Sequence, residues 1–354
     1  MSKHYTRRRF LRDASSATAL VAVGLGCGSS EEEAPVPPNV VGIAHREEIE
    51  AAVQAAVGLV GGLSDIRSGQ VVFIKPNVVH PFVTGPAITT NPEVLAAVVR
   101  MVKARGATVV VGDRSARQFD TTAALDGSGL RQAALDAGAD EVYAAPRPTE
   151  DPSAWVLMQP PGYEETWAGM GGILAMRKII EADHFINVPT CKNHRWAAHS
   201  LSMKAHMGSI GDNSRDPIHY AIGEPERLGR DIALLNQIFA PRLNIIDAWD
   251  VLANGGPEGV GTDAVRYPAR LILASRDRIA LDAAAVSLIK LARARSVIDM
   301  PDEVSAFLDA TSPWAMPQIV HGIALGLGVA SPLEAELRFD GVEDEGALAA
   351  IFAS

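Results

Sequence analysis

Short apolar runs of strand length alternate with amphipathic helical patterns along most of this chain. The apolar runs predict buried strands at residues 71–74, 108–111, 141–145, 184–188, 243–246 and 271–274. The helical patterns lie at residues 92–105, 121–137, 227–239 and 279–291. Apolar strands separated by helices are typical of a mostly parallel sheet that is buried on both faces. We therefore predict an α/β fold with helices on both faces of the sheet.

One large domain is expected over residues 40–354. Hydrophobic residues make up 47% of the chain, which is enough for a large core. The regular pattern breaks at residues 146–172, which are rich in Pro, Gly and Trp. This break predicts an irregular insertion, either a long loop or a small hairpin, within the domain.

The N-terminus carries the pattern of a twin-arginine export signal. Arginines at positions 7–9 are followed by Phe10 and Leu11, and then by an apolar run at residues 14–26. That run is too short to span a bilayer, which needs about 20 apolar residues. We therefore predict that residues 1–26 are a signal peptide and that the protein is exported, either to the periplasm or to a lipid anchor on the membrane.

Cys27 stands where a lipoprotein would be acylated, directly after the apolar run. A lipid on this cysteine is the only membrane contact that we expect. Residues 27–39 are acidic and rich in proline, which predicts a tether between the signal and the domain.

Charge and cysteine content exclude several classes of partner and cofactor. The chain has a net charge of −10, and removal of residues 1–26 makes it more negative. Such a surface repels nucleic acid and anionic membranes. Cys191 is the only cysteine besides Cys27, so we expect no iron–sulfur cluster and no thiolate zinc site. The oligomeric state stays open.

Polar residues follow five of the predicted strands at their carboxyl ends. In open α/β sheets, ligands bind beyond these ends, so parallel strands would bring the five groups to one crevice. The alternative is that strand ends become polar because they reach solvent. The groups are, in chain order, Lys75 with Asn77, Asp113 with Arg114, Lys192 with Asn193 and His194, Asp247 with Asp250, and Arg276 with Asp277.

Four of the nine histidines fall within a short segment, and they are candidate metal ligands: His194, His199, His206 and His219. Imidazole is a common ligand of divalent transition metals, and Asp113 or Asp247 could complete a site. If this stretch is helical, His199 and His206 share one face. The alternative is that the histidines are hydrogen-bonded residues of the core or of the crevice.

Lys204 is the principal candidate for a reacting group, with Asp113 and Lys75 as further catalytic candidates. A lysine among cations and apolar neighbours can have a lowered pKa and act as a base or nucleophile. Lys204 could equally bind an anionic group as a simple charge.

Five residues besides Asp247 are candidate contacts to a cofactor: Asn77, Lys192, Asn193, Gly255 and Gly256. The two glycines belong to a glycine-rich segment at residues 254–259, whose backbone amides could approach a phosphate or carboxylate. An ordinary turn is the alternative, because the segment lacks the spacing of the known nucleotide-binding loops.

Several motifs stand in an order that resembles the domain of unknown function family 362. They lie at residues 73–77 (FIKPN), 89–93 (TTNPE), 111–113 (VGD), 182–189 (ADHFINVP), 202–204 (SMK) and 274–277 (ASRD). The resemblance implies a single α/β fold with a shared polar site at these motifs, and no settled activity. Many relatives carry a cysteine-rich ferredoxin-like segment, which this sequence lacks.

Two functions are most compatible with these observations, and a structural role in a membrane-attached complex is a third possibility. The first is an exported enzyme, of oxidoreductase or isomerase type, whose crevice binds a metal or a small cofactor. The second is a non-catalytic binder of a small anionic ligand, in which Lys75, Lys192, Arg195 and Lys204 supply positive charge.

Overall fold

The computed structural model describes residues 36–81, 87–167, 170–219, 224–259, 264–298 and 303–354. These residues belong to one compact unit, Val36–Ser354. The predicted signal peptide and residues 27–35 of the predicted tether lie outside the described part of the chain. Within the described ranges, no helix is long and apolar enough to cross a membrane.

The strands are, in chain order, β1 (Val40–His45), β2 (Val71–Pro76), β3 (Thr108–Asp113), β4 (Glu141–Ala144), β5 (Trp155–Met158), β6 (Ile173–Met176), β7 (His184–Val188), β8 (Thr190–His194), β9 (Ala198–Ser200), β10 (Leu243–Asn254), β11 (Val265–Tyr267), β12 (Leu271–Ser275) and β13 (Glu336–Asp340). The α-helices are α1 (Ile49–Leu59), α2 (Pro92–Lys103), α3 (Thr121–Gly127), α4 (Leu130–Asp136), α5 (Tyr163–Trp167), α6 (Arg177–Glu181), α7 (Asp212–His219), α8 (Pro225–Leu235), α9 (Arg278–Ala294), α10 (Glu303–Ala310), α11 (Pro317–Ala324) and α12 (Glu345–Phe352). Short 3₁₀ helices lie at Pro152–Ala154, Lys204–Ser209, Pro313–Ala315 and Pro332–Glu334.

One sheet of eleven strands forms the centre of the described molecule. Eight strands stand in the order β13-β1-β12-β10-β7-β2-β3-β4, β8 and β11 also pair with β10, and β9 pairs with β8. Along this order every neighbouring pair is parallel except the two pairs made by β12. The predicted mostly parallel α/β fold with a single large domain is therefore confirmed.

Both faces of the sheet are buried, because the side chains of each strand alternate between two apolar clusters. In β2, Phe73 belongs to one cluster and Val72 and Ile74 to the other. The first cluster includes residues of α8 and α9, and the second includes residues of α1, α2 and α4. Continuous apolar runs are required when neither face of a strand meets water.

Most predicted helices and strands are present, with local differences that have clear causes. The side chain of Asn91 accepts a hydrogen bond from the backbone N–H of Glu93 and so caps α2, as its position before Pro92 predicts. The helix predicted at 121–137 is divided into α3 and α4, because Gly129 adopts a φ of +79° between them. The insertion at 146–172 contains β5, which pairs with β6 in a separate antiparallel hairpin.

Of the five polar groups predicted at strand ends, one lies at the opposite edge and one lies outside the crevice. Asp247 lies beyond the end of β7, because Asn244 pairs with Asn187, but β10 continues to Asn254 and Asp247 does not line the crevice. Strand β12 runs antiparallel to its neighbours, so Arg276 and Asp277 lie at the opposite edge. There Arg276 donates to the carbonyl of Val60, and Asp277 caps α9. The expectation that all five groups meet is wrong, because the chain reverses direction at β12.

His199 and His206 do not lie on one α-helix, so the shared face predicted for them is wrong. His199 lies on β9, which forms a hairpin with β8, and His206 lies in the 3₁₀ helix Lys204–Ser209. Ala198 has a φ of +62° at the start of β9. The left-handed backbone at this position is incompatible with an α-helix.

Candidate functional site

A cavity of about 300 Å³ opens at the carboxyl ends of β2, β3 and β8. The 3₁₀ helix Lys204–Ser209 and helix α7 form further walls. Six basic side chains line this crevice, namely Lys75, Arg114, Arg117, Lys192, Lys204 and Arg215. Three acidic side chains also line it, namely Asp113, Asp216 and Glu258. The crevice thus carries an excess of positive charge in a chain whose net charge is −10.

Lys75 and Asp113 form a buried ion pair at this crevice. Lys75 Nζ lies 2.9 Å from Asp113 Oδ1, and Asp113 Oδ2 accepts from the backbone N–H of Val78 at 2.7 Å. Burial lowers the pKa of Lys75 and raises that of Asp113, and the pairing opposes both shifts. The neighbouring strands β2 and β3 fix this pair, and the catalytic role predicted for it stays a prediction.

Gly208 closes over the Lys75–Asp113 pair. A Cβ atom at Gly208 would lie 2.2 Å from Asp113 Oδ1 and 3.0 Å from Lys75 Nζ. The carbonyl of Gly208 accepts from the backbone N–H of Arg114 at 3.2 Å. The 3₁₀ helix therefore approaches the pair closely only because residue 208 has no side chain.

Two arginines of the crevice are held by polar partners. Arg114 donates to Asp212 Oδ2 at 2.9 Å, in an ion pair that is buried. Arg215 donates to the carbonyls of Ser115 at 2.6 Å and Arg114 at 3.0 Å. These contacts connect α7 to the end of β3 and keep two guanidinium groups beside the crevice.

Lys192 enters the crevice from β8 and is almost fully buried. Its Nζ donates to the carbonyl of Ile88 at 2.7 Å. Burial, together with the charge of Lys204, lowers the pKa of Lys192 to about 7. The ammonium form of Lys192 thus already has a backbone acceptor.

Lys204 lies on the crevice wall with only 6% of its surface exposed. In the described part of the chain, its ammonium has no hydrogen bond and no ion pair. Burial and the charge of Arg215 lower the pKa of Lys204 to about 7, and Glu258 opposes this shift. At neutral pH a substantial fraction of Lys204 is therefore an uncharged amine.

The rings of His194, His219 and Trp196 contact one another at the crevice, and the centroids of the two histidine rings are 5.9 Å apart. The ring centroid of Trp196 is 5.8 Å from that of His194 and 5.3 Å from that of His219. The backbone N–H of Trp196 donates to His194 Nδ1 at 3.2 Å, which assigns the proton of the neutral ring to Nε2. Burial and the charge of Lys204 hold the pKa of His194 well below its usual range and lower that of His219 to about 3.

Of the four histidines predicted as metal ligands, His194 and His219 lie side by side, whereas His199 and His206 lie apart from them. His199 is buried on β9, and burial lowers its pKa to about 3. His206 stacks on Phe239 with ring centroids 4.9 Å apart and also contacts Phe185. The described residues contain no group of three His, Cys, Asp or Glu side chains that could hold a metal ion. The metal site predicted from the four histidines stays a prediction, and the stacking on Phe239 places His206 in the core.

Of the residues predicted to contact a cofactor, Asn77 and Lys192 line the crevice. Asn193, Gly255, Gly256 and Asp247 are not among its lining residues. Asn193 Oδ1 accepts from the backbone N–H of Gly256 at 2.9 Å, and a Cβ atom at Gly256 would lie 1.9 Å from the carbonyl of Asn193. The glycine-rich segment thus packs against β8. This close packing explains the glycine at position 256, which a phosphate-binding loop would also require.

Asp247 has a structural contact of its own. Its Oδ2 accepts from the backbone N–H of Asn91 at 2.7 Å and its Oδ1 from that of Trp249 at 3.2 Å. Burial raises the pKa of Asp247 to about 6. Asp247 therefore holds the start of α2 against β10.

Several residues that form the crevice were not predicted from the sequence. Arg215 and Asp212 belong to α7, whose polar composition resembles an exposed helix and gives no signal of burial. Gly208 could have been suspected, because it follows the SMK motif within a short buried segment. Arg195, predicted to supply charge, is half exposed and pairs with Glu258 at 2.7 Å.

The chain is similar to known proteins both as a member of a family and through individual relatives. The family described as "Domain of unknown function (DUF362)" matches residues 72–287, a segment that includes every residue lining the crevice. The thylakoid-associated protein of Synechocystis sp. is 24% identical over 244 residues, which cover 68% of this chain and 70% of that protein. The lactate racemase apoprotein from Thermoanaerobacterium thermosaccharolyticum superposes with a TM-score of 0.40 at 14% identity. That superposition covers 59% of this chain and half of the racemase chain (50%).

Proposed function

This chain belongs to the DUF362 family, and we propose that its crevice binds a small anionic organic molecule on which Lys204 acts. The proposal depends on the missing hydrogen-bonding or ion-pair partner of the Lys204 ammonium. Every other described lysine has a hydrogen-bonding or ion-pair partner: Asp113 for Lys75, Asp140 for Lys103, Glu141 for Lys178, the carbonyl of Ile88 for Lys192, and three backbone carbonyls for Lys290. Lys204 alone among them has none.

Burial of a lysine without a partner is costly. An ammonium removed from water loses several kcal/mol of hydration free energy unless an anion or hydrogen-bond acceptors replace the water. At Lys204 the described residues supply neither. An anionic ligand in the crevice would supply the missing partner.

The charge of the crevice favours the same ligand. Six basic and three acidic side chains line a cavity of about 300 Å³. A concave, positively charged site in an acidic protein concentrates small anions from solution. A cavity of this volume is at the lower end of the range for organic ligands, so the ligand is small.

The pKa of Lys204 supports a chemical role rather than simple charge pairing. A group whose pKa lies near the working pH accepts and returns a proton with little free-energy cost. Lys204 meets this condition, because its pKa is lowered to about 7. We therefore favour an enzyme, with Lys204 as base or nucleophile, over a passive binding protein.

Thermal-shift measurements test the binding step. Acetate, oxalate, citrate and inorganic phosphate are each compared with uncharged acetamide. At 100 times its dissociation constant, a ligand of the crevice should stabilise the protein by about 2.7 kcal/mol. The stabilisation should be lost in Lys204→Met and kept in Lys103→Met, where a surface lysine is removed. Equal responses of the two variants, or no response to any anion, would contradict the proposal.

A non-catalytic binder of small anions is the second candidate, because the excess of basic side chains is expected for either function. Under that alternative, Lys204→Arg keeps the charge and should retain most of the affinity. For the enzyme, the same variant binds the anion but loses turnover, since arginine neither transfers protons near neutral pH nor acts as a nucleophile.

We also propose export by the twin-arginine route. The support is the sequence of residues 7–11 and the apolar run at 14–26. Replacement of Arg7 and Arg8 by Lys should retain the full-length precursor inside the cell, as judged by fractionation and immunoblotting. Unchanged export of this double variant would contradict the proposal.

A further inference from the structure

We infer that Lys204 forms an imine with the carbonyl carbon of its ligand, so that the molecules bound in this crevice are small carbonyl compounds that carry an anionic group. This inference rests on the proposed anion-binding function and adds the class of substrate. It starts from the geometry of the three lysines that line the crevice.

The nitrogen of a lysine attacks a carbonyl carbon only when it is unprotonated, and an anion or carbonyl acceptor beside it stabilises the protonated, unreactive ammonium. Lys75 Nζ is bound to Asp113 and also donates to the carbonyl of Pro76 at 3.1 Å. Lys192 Nζ is held by the carbonyl of Ile88 at 2.7 Å. Lys204 Nζ has no such contact among the described residues, which leaves it as the nitrogen able to react.

The surroundings of Lys204 favour the uncharged amine. The charged and titratable groups around it are Arg215 and His219 of α7, Lys192 and His194 of β8, His199 of β9, and Glu258. Arg215 is a cation that lowers the pKa of Lys204, whereas Glu258, which pairs with Arg195, raises it. A lysine that is desolvated next to other cations is an established arrangement for an amine nucleophile.

The reaction is balanced without any further reagent. The lone pair of Nζ forms the C–N bond while the π electrons of the carbonyl move to oxygen, and a proton passes from nitrogen to oxygen. Loss of that hydroxyl with the second proton of nitrogen gives the C=N bond and one molecule of water. No oxidant or reductant takes part.

The anionic group of the ligand follows from the other basic residues. Arg114 and Arg215 remain beside the cavity after their contacts to Asp212 and to backbone carbonyls are made. Their positive charge would attract a carboxylate or phosphate while the carbonyl meets Lys204. Uncharged carbonyl compounds of similar size would lack this attraction.

Reductive trapping tests the inference. The protein is incubated with cyanoborohydride and one of three probes: pyruvate, dihydroxyacetone phosphate or uncharged acetone. The chain has seven lysines, so peptide mapping by mass spectrometry can assign every adduct. We expect rapid modification of Lys204 by at least one anionic probe, at least tenfold faster than by acetone. Pyruvate and dihydroxyacetone phosphate distinguish a carboxylate ligand from a phosphate ligand.

Variants separate a specific adduct from background labelling. Lys204→Arg should abolish the rapid adduct, and Lys103→Arg should leave it unchanged. Lys204→Met provides a second test if the arginine variant folds poorly. Equal labelling in wild type and Lys204→Arg, or rapid labelling that maps to another lysine, would overturn the inference.

The thermal-shift result distinguishes this inference from the proposed function. If pyruvate or the phosphate probe stabilises the protein but no adduct forms at Lys204, the imine is excluded and the anion site stands. If no anion stabilises the protein and no adduct forms, both proposals fail.

Discussion

Lys75 Nζ lies 2.9 Å from Asp113 Oδ1, and both side chains are almost completely buried. Lys204 lines the same crevice with no such partner in the described residues. The two lysines therefore have opposite relations to stability. We therefore expect loss of the paired lysine to destabilise the fold and loss of the unpaired lysine not to do so.

Lys75→Met should destabilise the protein strongly. The substitution leaves Asp113 as a buried carboxylate without its cation, and removal of one partner of a buried pair costs about 3–5 kcal/mol. Urea unfolding measured by circular dichroism gives this difference. Lys103→Met, which removes a surface ion pair with Asp140, should change the free energy of unfolding by less than about 1 kcal/mol. Similar losses in both variants would argue against the buried pair.

Lys204→Met should raise the free energy of unfolding, because methionine fills similar space and needs no charged partner. The gain should depend on pH. Between the folded pKa of about 7 and the higher pKa of unfolded lysine, the unfolded state binds more protons, so wild-type stability rises with pH. The advantage of Lys204→Met is therefore largest below pH 7 and shrinks as the pH rises towards 9. A constant or growing difference would contradict the buried, unpaired state of Lys204.

Gly208→Ala should disturb the Lys75–Asp113 pair. The new methyl group would lie within 2.2 Å of Asp113 Oδ1, so either the 3₁₀ helix or the carboxylate must move. We expect a loss of about 1–3 kcal/mol, which is typical of overpacking in a core. The thermal stabilisation by small anions should weaken in the same variant.

Gly58→Ala is the matched control for that experiment. Gly58 lies exposed on α1, and a Cβ atom there would meet nothing within 4 Å. Alanine in an exposed helical position should stabilise by up to about 1 kcal/mol. Equal destabilisation by the two substitutions would mean that Gly208 does not approach the pair.

His206→Leu should preserve or raise stability and leave anion binding unchanged. His206 is buried against Phe239, and neither ring nitrogen has a hydrogen-bond partner in the described structure. Leucine removes two unsatisfied polar atoms from an apolar site. The measurements are urea unfolding and the thermal shift with small anions. A large loss of anion binding would instead place His206 in the functional site.

The strands around the crevice could be predicted from sequence, but the contacts of their side chains could not. The apolar runs before Lys75 and Asp113 identify β2 and β3, and parallel neighbours bring their carboxyl ends together. The same rule failed at Arg276, because the direction of β12 depends on its partners β1 and β10. At Asp247 the rule gave the position beyond the ends of β2 and β7 but not the side-chain partner, which is the backbone N–H of Asn91.

The sequence by itself determined the α/β class. It also determined that Lys75, Asp113 and Lys192 lie near the carboxyl ends of strands, because the spacing of apolar residues along the chain is a local property. Only the tertiary structure decided which polar groups are partners. Asp113 is taken by Lys75, whereas Lys204 is left without a partner by the 3₁₀ helix that carries it. The reason is that burial and pairing depend on residues far apart in sequence. Arg215, for example, donates to the carbonyl of Ser115 just after β3, and no local sequence pattern predicts this contact.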